Sequence, residues 1–121
     1  MDQQESLAFI REYFHQLFDL RNIDAIDHYL DRDYYDDDIG DPQVDHIQNS
    51  KEFLKNLFIK NPTIGVDVKD AISRDNVITA YLEWYVTKND TRLTLRKGVA
   101  IFVLRGKKIL KRHTFIYASV E

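Results

Sequence analysis

A chain of 121 residues with 44% hydrophobic and 12% aromatic side chains fits one domain, and no disordered or low-complexity class suits it. The absence of cysteine excludes disulfides, thiol catalysis and thiolate metal sites. Net charge is only −3, yet the sign is segregated: residues 1–91 sum to −10 and residues 92–121 to +7, so the two parts attract each other.

The opening MDQQESLAFIREYF is acidic and its apolar residues are interrupted every two or three positions. Neither a signal peptide nor a membrane span is expected, and a cytoplasmic protein is. Asp2 and Glu5 have capping-box spacing, and Leu7, Ile10, Tyr13, Phe14, Leu17 and Phe18 recur at three and four residues. This predicts an amphipathic helix of about 15–18 residues. Asn22 ends it, and Asp24 can cap a short second helix with Ile26, Tyr29 and Leu30 on its apolar face. A third helix is expected to start near Asn49 or Ser50, to bury Phe53, Leu54, Leu57 and Phe58, and to stop at Asn61-Pro62.

After Pro62 the period becomes alternating. Segments through Ile64–Ile72, residues 77–87, residues 92–104 and the run ILKRHTFIYASV predict four antiparallel strands, with Gly106-Lys107 opening the last hairpin. The fold class is therefore α+β, three N-terminal helices on one face of a curved sheet, in a single domain spanning 1–121. The later strands are apolar on both faces, so a homodimer through the outer sheet face is expected.

Between the second and third helices lies DRDYYDDDIGDPQVD, seven aspartates in fifteen residues around Tyr34-Tyr35 and a Gly40-Asp41-Pro42 turn. Such a run is ordinarily a solvated loop, because Asp favours turns and like charges repel. The alternative is that one carboxylate points inward as an acid or base. Metal binding has no support in the spacing: the acids do not fall on calcium-loop positions before Gly40, and His15, His28, His46 and His113 show no close ligand spacing. Arg92, Arg96, Lys97, Arg105, Lys107, Lys108, Lys111 and Arg112 could form a phosphate patch, but no nucleic-acid-binding motif accompanies them, so nucleic acid is not the expected partner.

The order of these features resembles the nuclear-transport-factor-2-like superfamily, in particular its SnoaL-type polyketide cyclases and ketosteroid isomerases. The segments carrying the resemblance are EFLKNLFIKNPTIGVDVKD, where a helix runs into a proline and a first long strand, and RGKKILKRHTF, the final hairpin. The resemblance implies a cone-shaped sheet wrapped around the helices with a pocket at its open end. It also implies Asp37, in YDDDIG, at the position of the isomerases' general base, with Asp38 next to it, and Tyr13 as a phenol donor to an oxyanion. Such a base needs a pKa raised above about 3.9 by apolar surroundings. For each of the two residues a structural role stands beside the chemical one: a turn residue for Asp37, core packing for Tyr13. The second oxyanion donor of the isomerases falls on Ala100, which argues against steroid isomerisation.

His113 belongs to a last-strand alternation with Lys111, Phe115 and Tyr117, opposite Leu110, Arg112, Thr114 and Ile116. The resemblance favours the Arg112 set for the pocket and would leave His113 at the dimer face. His113 nevertheless joins Asp37 and Tyr13 as a catalytic candidate, and Phe9, Tyr35, Phe53, Leu57, Trp84, Phe102 and Arg112 are candidates for ligand contact. Glu83, between Tyr81 and Tyr85, reads as a surface residue paired with Arg92 or Arg96. The expected partner is a small hydrophobic or aromatic molecule, with no cofactor. The expected activity is acid–base isomerisation, cyclisation or dehydration of a small apolar carbonyl compound, or else non-catalytic binding by the same dimeric fold.

Overall fold

The computed structural model describes residues 1–120. Helix α1 spans Gln3–Phe14 and runs on through a π-helical turn, His15–Asp19. Asp2 caps it by accepting the Glu5 amide at 2.8 Å. The buried stripe of Ile10, Tyr13, Phe14, Leu17 and Phe18 lies against the sheet, as the three-to-four spacing predicts. Arg21 follows in left-handed backbone (φ 57°). It ties the end of this helix to the chain after the third one, donating to the carbonyls of Phe18, Pro62 and Ile64 while its guanidinium stacks on Phe58. A 3₁₀ turn, Ile23–Ala25, leads to α2, Ile26–Tyr29.

The first half of the acidic run is not a loop. Leu30–Asp36 forms strand β1, which pairs in parallel with the last strand. Cations from the distant basic third make this possible. Arg105 makes a forked pair with Asp31 and reaches Asp33 at 2.7 Å, and Lys111 lies 3.4 Å from Asp37. The charge segregation of the sequence is thus discharged along one sheet edge.

Helix α3, His46–Lys60, starts earlier than the Asn49–Glu52 spacing suggests. Its cap is Asp45, which accepts the amides of Ile47 and Gln48. Strands β2 (Gly65–Arg74), β3 (Val77–Lys88), β4 (Thr91–Arg105) and β5 (Lys108–Ser119) form the antiparallel part of a five-stranded mixed sheet in the order β1-β5-β4-β3-β2. The sheet is not closed into a barrel. Ala71, Ala80 and Ala100 sit in one row across β2, β3 and β4, and with Ile78, Leu82 and Phe102 they build the buried inner face beneath α1. Each large side chain buried here contributes about 1.5–3 kcal/mol relative to exposure.

The outer face is less covered. Tyr81 pairs with Val99 and Val99 with Phe115, while Thr79, Ile101 and His113 form the next row. Tyr81, Phe115 and Ile72 are exposed. Glu83 lies 3.7 Å from Lys69 rather than against an arginine, and Arg92 pairs with Asp67 instead. Among the described residues no helix is long and apolar enough to cross a membrane.

Candidate functional site

The inner face of β5, the end of β1 and helices α1 and α3 enclose a cavity of about 630 Å³. Its apolar wall includes Phe14, Leu17, Phe18, Leu54, Leu57 and Trp84, the chain's single tryptophan. Its polar residues include Tyr13, Tyr34, Asp36, Asp38, Arg112 and Thr114.

Register brings these groups together. Asp36 is paired with Arg112 across the β1–β5 edge, so both project inward, as does Tyr34 two residues earlier. At the end of β1 the chain turns. The Asp37 amide donates to the Arg112 carbonyl at 2.9 Å, and the Asp38 amide donates to Asp36 Oδ1 at 2.9 Å. Asp38 then extends the pairing with its side chain: Oδ2 accepts the Thr114 amide at 3.1 Å. Its Oδ1 lies 3.1 Å from His113 Nδ1, off the line of a hydrogen bond. His46 holds the turn from behind. Its Nδ1 accepts the Asp36 amide at 2.9 Å and its Nε2 lies 2.7 Å from the Asp41 carbonyl, an arrangement that requires the neutral ring with hydrogen on Nε2.

The two phenols are hydrogen-bond donors at neutral pH. Burial pushes Tyr13 above the ordinary tyrosine range, with the Asp36 charge adding to it, and only the adjacent Arg112 pulls the other way. Tyr34 is raised more strongly, again chiefly by burial. Tyr34 Oη is 3.4 Å from Asp36 Oδ2, a loose contact that a ligand could tighten or displace. Arg112 donates from Nε to Thr114 Oγ1 at 3.1 Å, and its guanidinium lies 5.4 Å from the Phe102 ring and 5.8 Å from that of Phe14. Each such cation–π contact is worth about 0.5–1 kcal/mol, well short of the several kcal/mol that sequestering an ion from water costs.

Of the residues singled out in the sequence, Tyr13, Phe53, Leu57, Trp84 and Arg112 line the cavity. Phe53 is largely exposed. Asp37 does not line it; the neighbours Asp36 and Asp38 do, while Asp37 reaches Lys111. His113 falls on the outer face with Phe115, whose ring it meets edge-on at 4.4 Å. Phe102 is fully buried behind the cavity, against Tyr13, Phe14 and Arg112. Phe9 packs on Tyr29, and Tyr35 stacks on His46 and donates to the Gly40 carbonyl. Tyr34 and Asp36 were not singled out as site residues, while Asp38 entered only as the neighbour of Asp37 and Thr114 only with the Arg112 set. Reading residues 30–36 as a strand would have supplied the first two, since alternation puts 34 and 36 on one face.

Residues 10–112 match the family model described as SnoaL-like domain. No curated protein sequence matches the chain. Among solved structures, a polyketide-cyclase candidate from Acidithiobacillus ferrooxidans superposes with a TM-score of 0.74 at 16% identity, covering 97% of this chain and 92% of its own. One from Bacillus cereus gives 0.76 at 17% identity, with 97% and 79% covered. An LEH-like epoxide hydrolase from Mycobacterium tuberculosis gives 0.64 at 12% identity, with 94% and 84% covered. At such identities the likeness is one of fold.

Proposed function

Because the chain belongs to the SnoaL-like domain family, within the nuclear-transport-factor-2-like superfamily, we propose that it binds a small, largely apolar carbonyl compound in this cavity and moves a proton on it. The observation that carries the reading is the convergence of Tyr13, Tyr34, Asp36 and Arg112 at one end of an apolar space of about 630 Å³, a size typical of small-molecule sites. Asp36 is the proton acceptor in this proposal. It takes a proton from carbon next to the carbonyl, Tyr13 donates a hydrogen bond to the oxygen as enolate charge develops, and return of the proton at another carbon completes an isomerisation. The same enolate attacking a second carbonyl, whose oxygen takes up the proton from Asp36, gives cyclisation, and expulsion of a β-hydroxyl as water with that proton gives dehydration. Asp37 and His113 have no direct part in this scheme, and Asp38 places Thr114.

The test is deuterium exchange at the α-carbon of a panel of hydrophobic ketones, followed by NMR in D₂O. Exchange above buffer is expected with the wild type and with Asp37→Asn, and loss of about 10²-fold or more with Asp36→Asn. Exchange that survives in Asp36→Asn but disappears in Asp37→Asn would return the base to Asp37.

We further propose that the protein is a homodimer through the outer face around Tyr81, Val99, Ile101 and Phe115. The support is an apolar row running across three strands with exposed aromatic residues at its ends. Light scattering should give a dimer that Phe115→Glu converts to monomer, and a wild-type monomer at micromolar concentration refutes it.

A further inference from the structure

We propose that the cavity's ligand carries a carboxylate, seated on Arg112, at one end of an apolar, ring-bearing body. The inference rests on the reading of this cavity as a ligand site, and it comes from an imbalance of partners inside it.

Two arginines, Arg96 and Arg112, line the cavity, and among the described residues neither has a carboxylate within 4.0 Å. Elsewhere in the same C-terminal third Arg92 has Asp67, Arg105 has Asp31 and Asp33, and Lys111 has Asp37, while Lys97, Lys107 and Lys108, which are exposed to solvent, have no carboxylate within 4.0 Å among the described residues. The two carboxylates facing the cavity are already engaged. Asp36 accepts the Asp38 amide and lies beside the Tyr34 hydroxyl, and Asp38 accepts the Thr114 amide and lies beside His113. Arg112 is held by Nε to Thr114 and flanked by the rings of Phe14 and Phe102, so the fork is fixed while its terminal nitrogens lack an acidic partner.

A guanidinium held half-buried against aromatic rings gains most from a planar, singly charged acceptor that takes two parallel N–H bonds, which describes a carboxylate. A dianionic phosphate suits the site less well, because Asp36 and Asp38 face the same space. The Tyr13 hydroxyl, beside Arg112 and protonated at neutral pH, supplies a further donor at that end. The wall of Phe14, Leu17, Phe18, Leu54 and Trp84 accounts for the apolar body. Together with the proposed carbonyl chemistry, this makes a hydrophobic keto acid the substrate class.

The experiment uses a pair of probes of nearly equal shape, 4-tert-butylbenzoate and the neutral methyl ketone 4-tert-butylacetophenone, titrated into the whole chain by calorimetry and by Trp84 fluorescence. Trp84 is the only tryptophan and lines the cavity, so its emission reports occupancy there. The benzoate is expected to bind about tenfold or more tightly than the ketone. Arg112→Met should erase that preference, and Arg112→Lys should restore part of it. If the benzoate and ketone bind the wild type equally, the carboxylate proposal is overturned and the cavity reading stands. If neither probe binds or alters Trp84 emission, both fall. Should Arg112→Met fail to fold, the wild-type preference between the two probes decides the matter alone.

Discussion

Replacing Gly98 by alanine tests whether the inner sheet face is as closely packed as the structure requires. A Cβ at this position would lie 2.5 Å from the Phe115 carbonyl oxygen, 3.0 Å from Ile116 Cδ1 and 3.1 Å from Trp84 Cζ3. A carbon–oxygen contact is ordinarily no closer than about 3.3 Å, so β5 must move by roughly 0.8 Å. The nearest obstacle is backbone next to an irregularity in the β4–β5 register, and no side-chain rotation relieves it. Overpacking of this kind costs about 1–3 kcal/mol, against which alanine recovers up to about 1 kcal/mol by restricting the unfolded chain. A net loss of about 1–2 kcal/mol follows. With a urea dependence near 1.5 kcal/mol/M, the unfolding midpoint falls by roughly 1 M. Trp84 and Ile116 line the cavity, so Trp84 emission should shift in the folded variant too. Gly65→Ala is the internal comparison, because the nearest atoms its Cβ would meet belong to the far end of the Tyr85 side chain and not to backbone. A Gly98→Ala midpoint within about 0.2 M of wild type, or one no lower than that of Gly65→Ala, would refute the reasoning.

Two further predictions concern the acidic run. Asp45→Ala removes the acceptor for two amides at the start of α3 and should cost about 1 kcal/mol, seen as a lower urea midpoint, whereas Asn49→Ala should cost little stability if Asn49 caps nothing. Arg105→Met should lower the melting temperature at neutral pH, with a loss that depends on pH in a defined direction. The Arg105 hydrogen bonds, helped by the Asp33 amide, hold the Asp31 carboxyl below the usual carboxylate range. Its contribution is therefore complete above the unfolded value of about 3.9 and disappears as pH falls through the lower folded value. The gap between wild type and variant should be constant from pH 5 to 8 and close below about pH 4; a gap unchanged at pH 3 would show that the pair is not its source.

Much of the fold is legible locally, because hydrophobic spacing is a property of neighbours in the chain. The stripe from Ile10 to Phe18, the stop at Asn61-Pro62 and the alternation of β3 to β5 each declare themselves within a dozen residues. Strand β1 does not. Three of its seven residues are aspartates, which are poor strand formers, and what neutralises the run arrives some 75 residues later in Arg105 and Lys111. The start of α3 was misplaced for a related reason: Asn49 and Asp45 both offer good cap chemistry, and only the path of the preceding turn selects Asp45.

The cavity lining was legible in part: Tyr13, Leu57, Trp84 and Arg112 face it, whereas Asp37 falls one residue away from the two carboxylates that do. That one-residue offset matters, because a strand turns each successive side chain to the opposite face. Asp31 and Asp33 go to Arg105, Asp37 to Lys111, Asp45 to the helix cap, and Asp41 to the Gln43 amide. Each of these serves the fold. Asp36 and Asp38 are the two members of the run that line the cavity, Asp36 by strand alternation opposite Arg112 and Asp38 by folding back onto Thr114. A run that looks like undifferentiated negative charge is thus divided by register into groups that serve the fold and groups that face the cavity. Arg105 and Lys111 hold the strand whose register makes this division, so replacing either should disturb the site as well as the sheet edge.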